Sequence, residues 1–283
     1  MAQVAHVDEW TDECATVGEI EGAFVELRLR RGFEGTRNLR TSVLTHIAWV
    51  PQEWQEAASD TLAGLAERHP SRTLLLFPKP DADDGLYARV LLECYEVPGS
   101  TRHLCNEVAE LRLRGIRSEA PASIVLPLLL PDLPVFLRWR GRPDFGGPVF
   151  EQLVDVVDRL VIDSSEWPDV PDAYAQLIAL FDRVAVSDIA WRRTLPWRRA
   201  LAQAWPELPD RITGPPAETA LVAGWLRSRA GIGVEVERAD QLPVGEDRKP
   251  SDLLSDELDV FVRDSVYEAS VEAATSGRPE GRP

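Results

Sequence analysis

The chain has 283 residues and a net charge of −16, with 44% hydrophobic and 28% charged residues. That is enough apolar material for a buried core in one large or two modest domains, and it is the composition of a folded globular protein rather than a disordered one. So acidic a chain does not hold nucleic acid or an anionic membrane by bulk attraction, which draws on many Lys and Arg; neither is expected as a partner, and a companion with basic patches is.

The three cysteines, Cys14, Cys94 and Cys105, are too few for a secreted disulfide framework and form no paired Cys-x-x-Cys, so the cytosol is the expected compartment and no zinc site is expected. The opening MAQVAHVDEWTDE is acidic and lacks an apolar run, which argues against a signal peptide. The most apolar stretch, residues 124–137, holds three prolines and Asp132, and it falls short of the ~20 residues of a membrane-spanning helix.

In chain order, Thr16-Val-Gly-Glu19 is a capping-box pattern, and Val17, Ile20, Phe24 and Leu27 line one face of a predicted helix running to about Arg31. Residues 41–50 are apolar and β-branched almost throughout, the pattern of a buried strand. Pro51 then opens a helix carrying Trp54, Ala58, Leu62 and Leu65. A short apolar run at 73–77 completes strand, helix and strand, so a parallel pair is expected. Residues 87–97 form another strand, and Pro98-Gly99-Ser100 turns it back into the next; a hairpin symmetric about Gly99 and Ser100 sets Cys94 opposite Cys105.

Residues 104–141 form the central unit. Alternation up to Leu113 predicts a strand ended by Gly115, Ser118 is placed to cap a helix carrying Ala122, Val125, Leu126, Leu129 and Leu130, and Pro131 to Pro134 stop it before a strand at 135–139. Phe150, Leu153, Val154 and Val157 mark a helix feeding a strand at 160–163. Beyond Pro171 only helices are expected, around 174–181, 195–205 and 217–230, the last stopped by Gly231, with one short strand at 234–236. Ser251 and then Asp264 or Ser265 are placed to cap two final helices. The fold class is therefore α/β, a mixed, largely parallel sheet with flanking helices, followed by a mainly helical C-terminal domain. The expected plan is an N-terminal helix and extension (1–35), an α/β domain (36–168), a helical domain (169–275) and a disordered tail (276–283).

No nucleotide loop, hydrolase elbow or metalloprotease helix occurs, and the four histidines are scattered, so neither catalytic residues nor cofactor nor metal is expected. Two polar turns are candidate ligand sites. His69, Ser71 and Arg72 bring a titratable ring, a hydroxyl and a bidentate cation together, and Ser164, Ser165 and Glu166 follow a strand end, where open α/β sheets bind ligands. The plainer reading of both is turn and cap chemistry. Two clusters stand out against the acidic background: Arg138, Trp139, Arg140 and Arg142, and Trp191, Arg192, Arg193, Trp197 and Arg198. Arg and Trp are enriched at interface hot spots, so these are candidate partner-binding residues; the alternative is that Trp packs inside while Arg neutralises the chain's own carboxylates. Cys94 and Cys105 are either small buried hydrophobes or a redox pair.

The ordered set Arg40-Thr-Ser-Val-Leu44, His69-Pro-Ser-Arg72, Leu111-Arg-Leu-Arg-Gly115, the Leu-Leu-Leu-Pro-Asp-Leu-Pro-Val core within 125–137, Val161 to Glu166, and Trp191 through Pro196-Trp197-Arg198 resembles the glucose-6-phosphate dehydrogenase assembly protein family, OpcA. The likeness runs from about 16 to 205 and resumes near 253–274. It implies a non-catalytic cytosolic protein that promotes assembly or activity of glucose-6-phosphate dehydrogenase in the oxidative pentose phosphate pathway, acting by protein–protein docking. The alternative is a sugar-phosphate or nucleotide-sensing protein with a pocket at the strand C-termini. Two departures stand out: longer relatives carry a set of strands where this chain has only residues 233–250, and the family's aromatic pair after the Pro-Val strand is here Arg138-Trp139.

Overall fold

The computed structural model describes residues 4–33, 37–39, 42–62, 65, 68–96, 102–245 and 248–276. The chain forms two compact units, one of residues 1–140 and 146–160, the other of 141–145 and 161–283. The expected tail lies, from residue 277 on, outside the described residues, as do the Pro98-Gly99-Ser100 turn and Arg40-Thr41.

The first unit is built on a mixed sheet. β1 (Val4–Asp12) is followed by helix α1 (Val17–Phe33), a short β2 (Arg37–Leu39), β3 (Leu44–Trp49), α2 (Gln55–Leu62), β4 (Ser71–Lys79), β5 (Gly85–Glu96), β6 (Arg102–Arg114), a short helix α3 (Pro121–Val125), β7 (Val135–Trp139) and α4 (Pro148–Val154). The strand order is β1-β5-β6-β4-β3-β7, with β2 also on β6. β1, β5 and β6 are antiparallel, whereas β6, β4, β3 and β7 run parallel. Every residue of β3 and β7 is buried, the continuous pattern that a parallel sheet covered on both faces requires. The predicted pair is present, with Ile47 opposite Leu74, and the Cys94–Cys105 register holds as well. The two cysteines are joined by a disulfide rather than standing as separate thiols.

The capping box of α1 is closed on both sides: the Thr16 amide donates to Glu19 Oε2 (2.8 Å) and the Glu19 amide to Thr16 Oγ1 (3.3 Å). Elsewhere the expectation needs correction. No long helix follows Gly115. Ser118 caps nothing and donates to the Gly115 carbonyl (2.7 Å), Pro121 starts a helix of one and a half turns, and a 3-10 turn at Leu126–Leu128 follows. Pro127 has no amide to donate and its ring blocks the carbonyl one turn back, so the α-helix cannot run on.

The second unit contains α5 (Val170–Ile178), β9 (Ala185–Asp188), α6 (Ile189–Arg193), α7 (Leu195–Gln203), β10 (Arg211–Gly214), α8 (Pro216–Ala230), β11 (Glu235–Arg238), α9 (Pro250–Leu258) and α10 (Ser265–Ser276); β8 (Arg159–Ile162) straddles the boundary. The region is not helical throughout, since β9 and β10 are also strands; β10 and β11 pair in parallel across α8, with Ile212 opposite Val236. Strands this short carry too few residues for alternation to show. α8 ends at Gly231, whose φ of 68° is the left-handed geometry glycine favours. Trp197, Leu201, Ile212, Val222, Ala223 and Leu226 form one apolar cluster of this unit. α8 and α10 pass so closely that a Cβ at Gly224 would stand 2.0 Å from the Ser270 carbonyl oxygen.

Candidate functional site

In the first unit the expected ligand residues are structural. Arg72 is buried; its Nε donates to Glu107 Oε2 (2.7 Å), its Nη1 to the Leu128 carbonyl (2.8 Å), and its guanidinium lies 4.2 Å from the Phe24 ring centre. Arg28 holds the other oxygen of Glu107. Ser71 is buried, its amide donating to Asn106 Oδ1 (3.1 Å), and His69 is buried too. These groups tie α1, β4 and β6 together and are closed to solvent, because a buried charge is tolerated only when paired and hydrogen-bonded.

The first Arg/Trp cluster is corrected in the same way. Arg138, Trp139 and Arg140 are 1%, 5% and 8% exposed, too little to meet a partner. Trp139 stacks on Trp49 at 5.2 Å and meets Phe150 edge-on, and Arg140 Nη2 donates to Thr61 Oγ1 (2.6 Å). His46, fully buried with neither ring nitrogen finding a hydrogen-bond partner among the described residues, is held neutral: burial first, then the charges of Arg138 and Arg140, bring its pKa down to about 3. Arg142 is exposed and pairs with Asp169 at 3.1 Å.

In the second unit the turn after β8 is likewise bonded within the protein, although only Ser164 is buried, Glu166 being half-buried and Ser165 exposed. Ser164 is fully buried, its hydroxyl sharing a hydrogen bond with Tyr174 (2.9 Å) and its amide donating to Asp188 Oδ1 (3.0 Å). Ser165 donates through amide and hydroxyl to Asp163 Oδ1 (3.2 and 2.7 Å), and Glu166 Oε2 accepts the Gly141 amide (2.7 Å). Arg193 bridges Asp163 and Glu218, and Trp197 is buried in the apolar cluster around α8. Trp197 thus offers no surface that a companion could grip, and the half-buried Arg193 is held by carboxylates of its own chain.

Trp191, Arg192 and Arg198 do converge, on a cavity of about 270 Å³ beyond the C-terminal end of β9. Its other polar walls are Asp188 at the end of β9, Glu257 near the end of α9, and Asp264 and Tyr267 at the start of α10. Arg198 lies over Trp191, 3.4 Å from the ring centre. Trp191 Nε1 donates to Asp264 Oδ2 (2.9 Å), and Asp264 Oδ1 caps α10 by accepting the amides of Val266 and Tyr267 (both 3.0 Å), one of the two caps the sequence offered there. Arg192 Nε donates to Glu257 Oε1 (2.6 Å). Asp188 accepts the Ser164 and Ala190 amides through Oδ1 and the Tyr267 hydroxyl, at 3.3 Å, through Oδ2. Burial, aided by the nearby Asp163 charge, raises the Asp188 pKa to about 7 in spite of those bonds. Burial also lowers the Arg198 guanidinium to about 10, although Asp264 favours its charge.

A larger, shallower space of about 620 Å³ lies beyond the ends of β3 and β4, walled by Trp49, Pro51, Pro78 and Pro80 with Lys79, Glu53 and Asp81. Both spaces obey the rule that α/β folds open pockets beyond strand C-termini, but neither uses the residues the sequence named at the Ser164 turn. Among the described residues no group of three or more His, Cys, Asp and Glu could hold a metal, and no helix is long and apolar enough to cross a membrane.

Residues 63–179 match the OpcA family model described as glucose-6-phosphate dehydrogenase subunit N-terminal domain. Among curated proteins the chain is similar to three whose names place them provisionally in the OxPP cycle as OpcA. It is 29% identical over 180 residues to that of Nostoc punctiforme, covering 58% of this chain and 39% of the relative. The corresponding figures are 27% over 184 residues, 58% and 38% for Synechocystis, and 28% over 182 residues, 59% and 41% for Synechococcus elongatus. The matches thus span about two fifths of the length of these relatives. No solved structure matches the chain. The cavity by Trp191 lies outside the matched segment 63–179.

Proposed function

Taking the chain as a member of the OpcA family through residues 63–179, we propose that it is a non-catalytic cytosolic factor of the oxidative pentose phosphate pathway that docks on glucose-6-phosphate dehydrogenase and favours its active assembly. The observation that carries this reading is the family match itself, which covers β4 through α5. The structure is compatible with it: the polar turns that sequence alone offered as ligand sites are occupied by internal hydrogen bonds. Of the expected docking residues, Arg142 stays exposed. Leu29 on α1 of the first unit is 57% exposed, and in the second unit the consecutive Phe261 and Val262 are 63% and 74% exposed; they are further candidates for contact.

A factor of this kind acts by differential affinity. It binds the active state of the enzyme more tightly than the inactive one, and ~1.4 kcal/mol of preference shifts the ratio of states tenfold. The test is a titration of this protein into its purified cognate dehydrogenase, read by co-elution on gel filtration and by initial velocity. The expected result is a complex together with a higher velocity or a lower substrate KM. Absence of both co-elution and a kinetic change would defeat the proposal.

A further inference from the structure

The cavity beside α6 has an uneven balance of donors and acceptors. Asp188 and Asp264 each have both carboxylate oxygens engaged by protein donors, and Glu257 holds Arg192 through its Nε. The guanidinium groups are not used up. Arg198 donates Nε to Thr194 Oγ1 (2.9 Å) and Nη2 to the Trp191 carbonyl (3.3 Å). Among the described residues no carboxylate pairs with it, and its Nη1, like both Nη atoms of Arg192, has no acceptor there. Arginine carries five N–H donors and no acceptor, so such a wall is completed by a ligand rich in acceptors, and an oxyanion adds counter-charge at a half-desolvated guanidinium that Asp264 favours without pairing with it.

We propose that this cavity binds a small metabolite through a phosphate ester, with Arg198 as the principal anion-holding residue and Arg192 as its second donor. Arg198 is held in place for that role, since Trp191 supports its flat face and the two internal bonds engage Nε and Nη2 in a residue that lines the cavity. The space of about 270 Å³ is just below the ~300–1,000 Å³ of pockets for drug-sized ligands, a size that suits a phosphorylated sugar. The site lies outside the segment that carries the family match.

The test uses the full chain alone, without the dehydrogenase, so its failure is separate from a failure of the docking proposal. Thermal shift and calorimetric titration are run with inorganic phosphate, glucose 6-phosphate and glucose at constant ionic strength. Both phosphate species are expected to raise Tm and glucose to leave it unchanged. Arg198→Met is expected to weaken phosphate-ester binding by about tenfold or more, as befits loss of charge-assisted hydrogen bonds, whereas Arg229→Gln, at an exposed arginine that does not line the cavity, leaves it unchanged. Should Arg198→Met fail to fold, Arg198→Lys, which keeps the charge and loses the fork, must still weaken binding several-fold. No shift with either phosphate species, a shift with inorganic phosphate alone, an equal shift with glucose, or undiminished binding in the folded Arg198 variant would each overturn the assignment.

Discussion

Asp188 offers the sharpest test of how the second unit is held together. Its carboxyl is fully buried at the end of β9 with a pKa raised from 3.8 to about 7. Because the folded-state pKa lies above the unfolded one, the native state binds the extra proton between these values. The associated stability is fully present below about pH 4 and is lost as pH rises toward 7. At 1.36 kcal/mol per tenfold change in proton affinity, the ceiling is about 4 kcal/mol, and relaxation with water penetration brings the expected value to between ~2 and ~4 kcal/mol. Asp188→Asn isolates it. An amide keeps the oxygen that accepts the Ser164 and Ala190 amides and offers Tyr267 a donor instead of an acceptor. Urea unfolding of wild type and variant from pH 4 to pH 8 should show near-equal stability at the acid end, a gap opening in the variant's favour, and a plateau above pH 7. A gap independent of pH, or a variant less stable than wild type at pH 8, would show that the buried carboxylate is a satisfied ion and would refute the reasoning.

Two further perturbations follow from the packing. Gly224→Ala places a methyl group 2.0 Å from the Ser270 carbonyl oxygen and 3.0 Å from the Ala274 nitrogen; both are backbone atoms, so α8 and α10 must separate, and a loss of about 3 kcal/mol or more is expected from denaturant midpoints. Arg72→Met leaves one oxygen of buried Glu107 without its cation while Arg28 keeps the other, and a loss of ~3–5 kcal/mol is expected; the double variant with Glu107→Gln should recover much of it, and a double variant no more stable than the single would show that Arg72 matters through packing on Phe24 instead.

Much of the architecture was legible because local signals and long-range contacts agree. The Thr16/Glu19 box starts α1, Gly231 ends α8, and two apolar runs flanking a helical stretch gave the parallel β3–β4 pair. β1 escaped notice for a physical reason. It is a strand paired with β5, yet Asp8, Trp10 and Asp12 lie on its half-buried face while Val7, Glu9 and Thr11 are exposed, so the period of two is present in burial and absent in hydrophobicity. The sites divide along the same line. Sequence marked Trp191, Arg192 and Arg198 as unusual, and they are, but an Arg/Trp run reads alike whether it faces a partner or folds back on itself. What separates the cases is contributed from far away. Glu257, Asp264 and Tyr267 lie 65, 73 and 79 residues from Arg192, Trp191 and Asp188, the groups they bind. Arg193, next in the chain to Arg192, is drawn instead to Asp163 and Glu218. One turn of helix thus sends adjacent arginines to different carboxylates, and the guanidinium that ends without one, Arg198, is identified by where those carboxylates are spent.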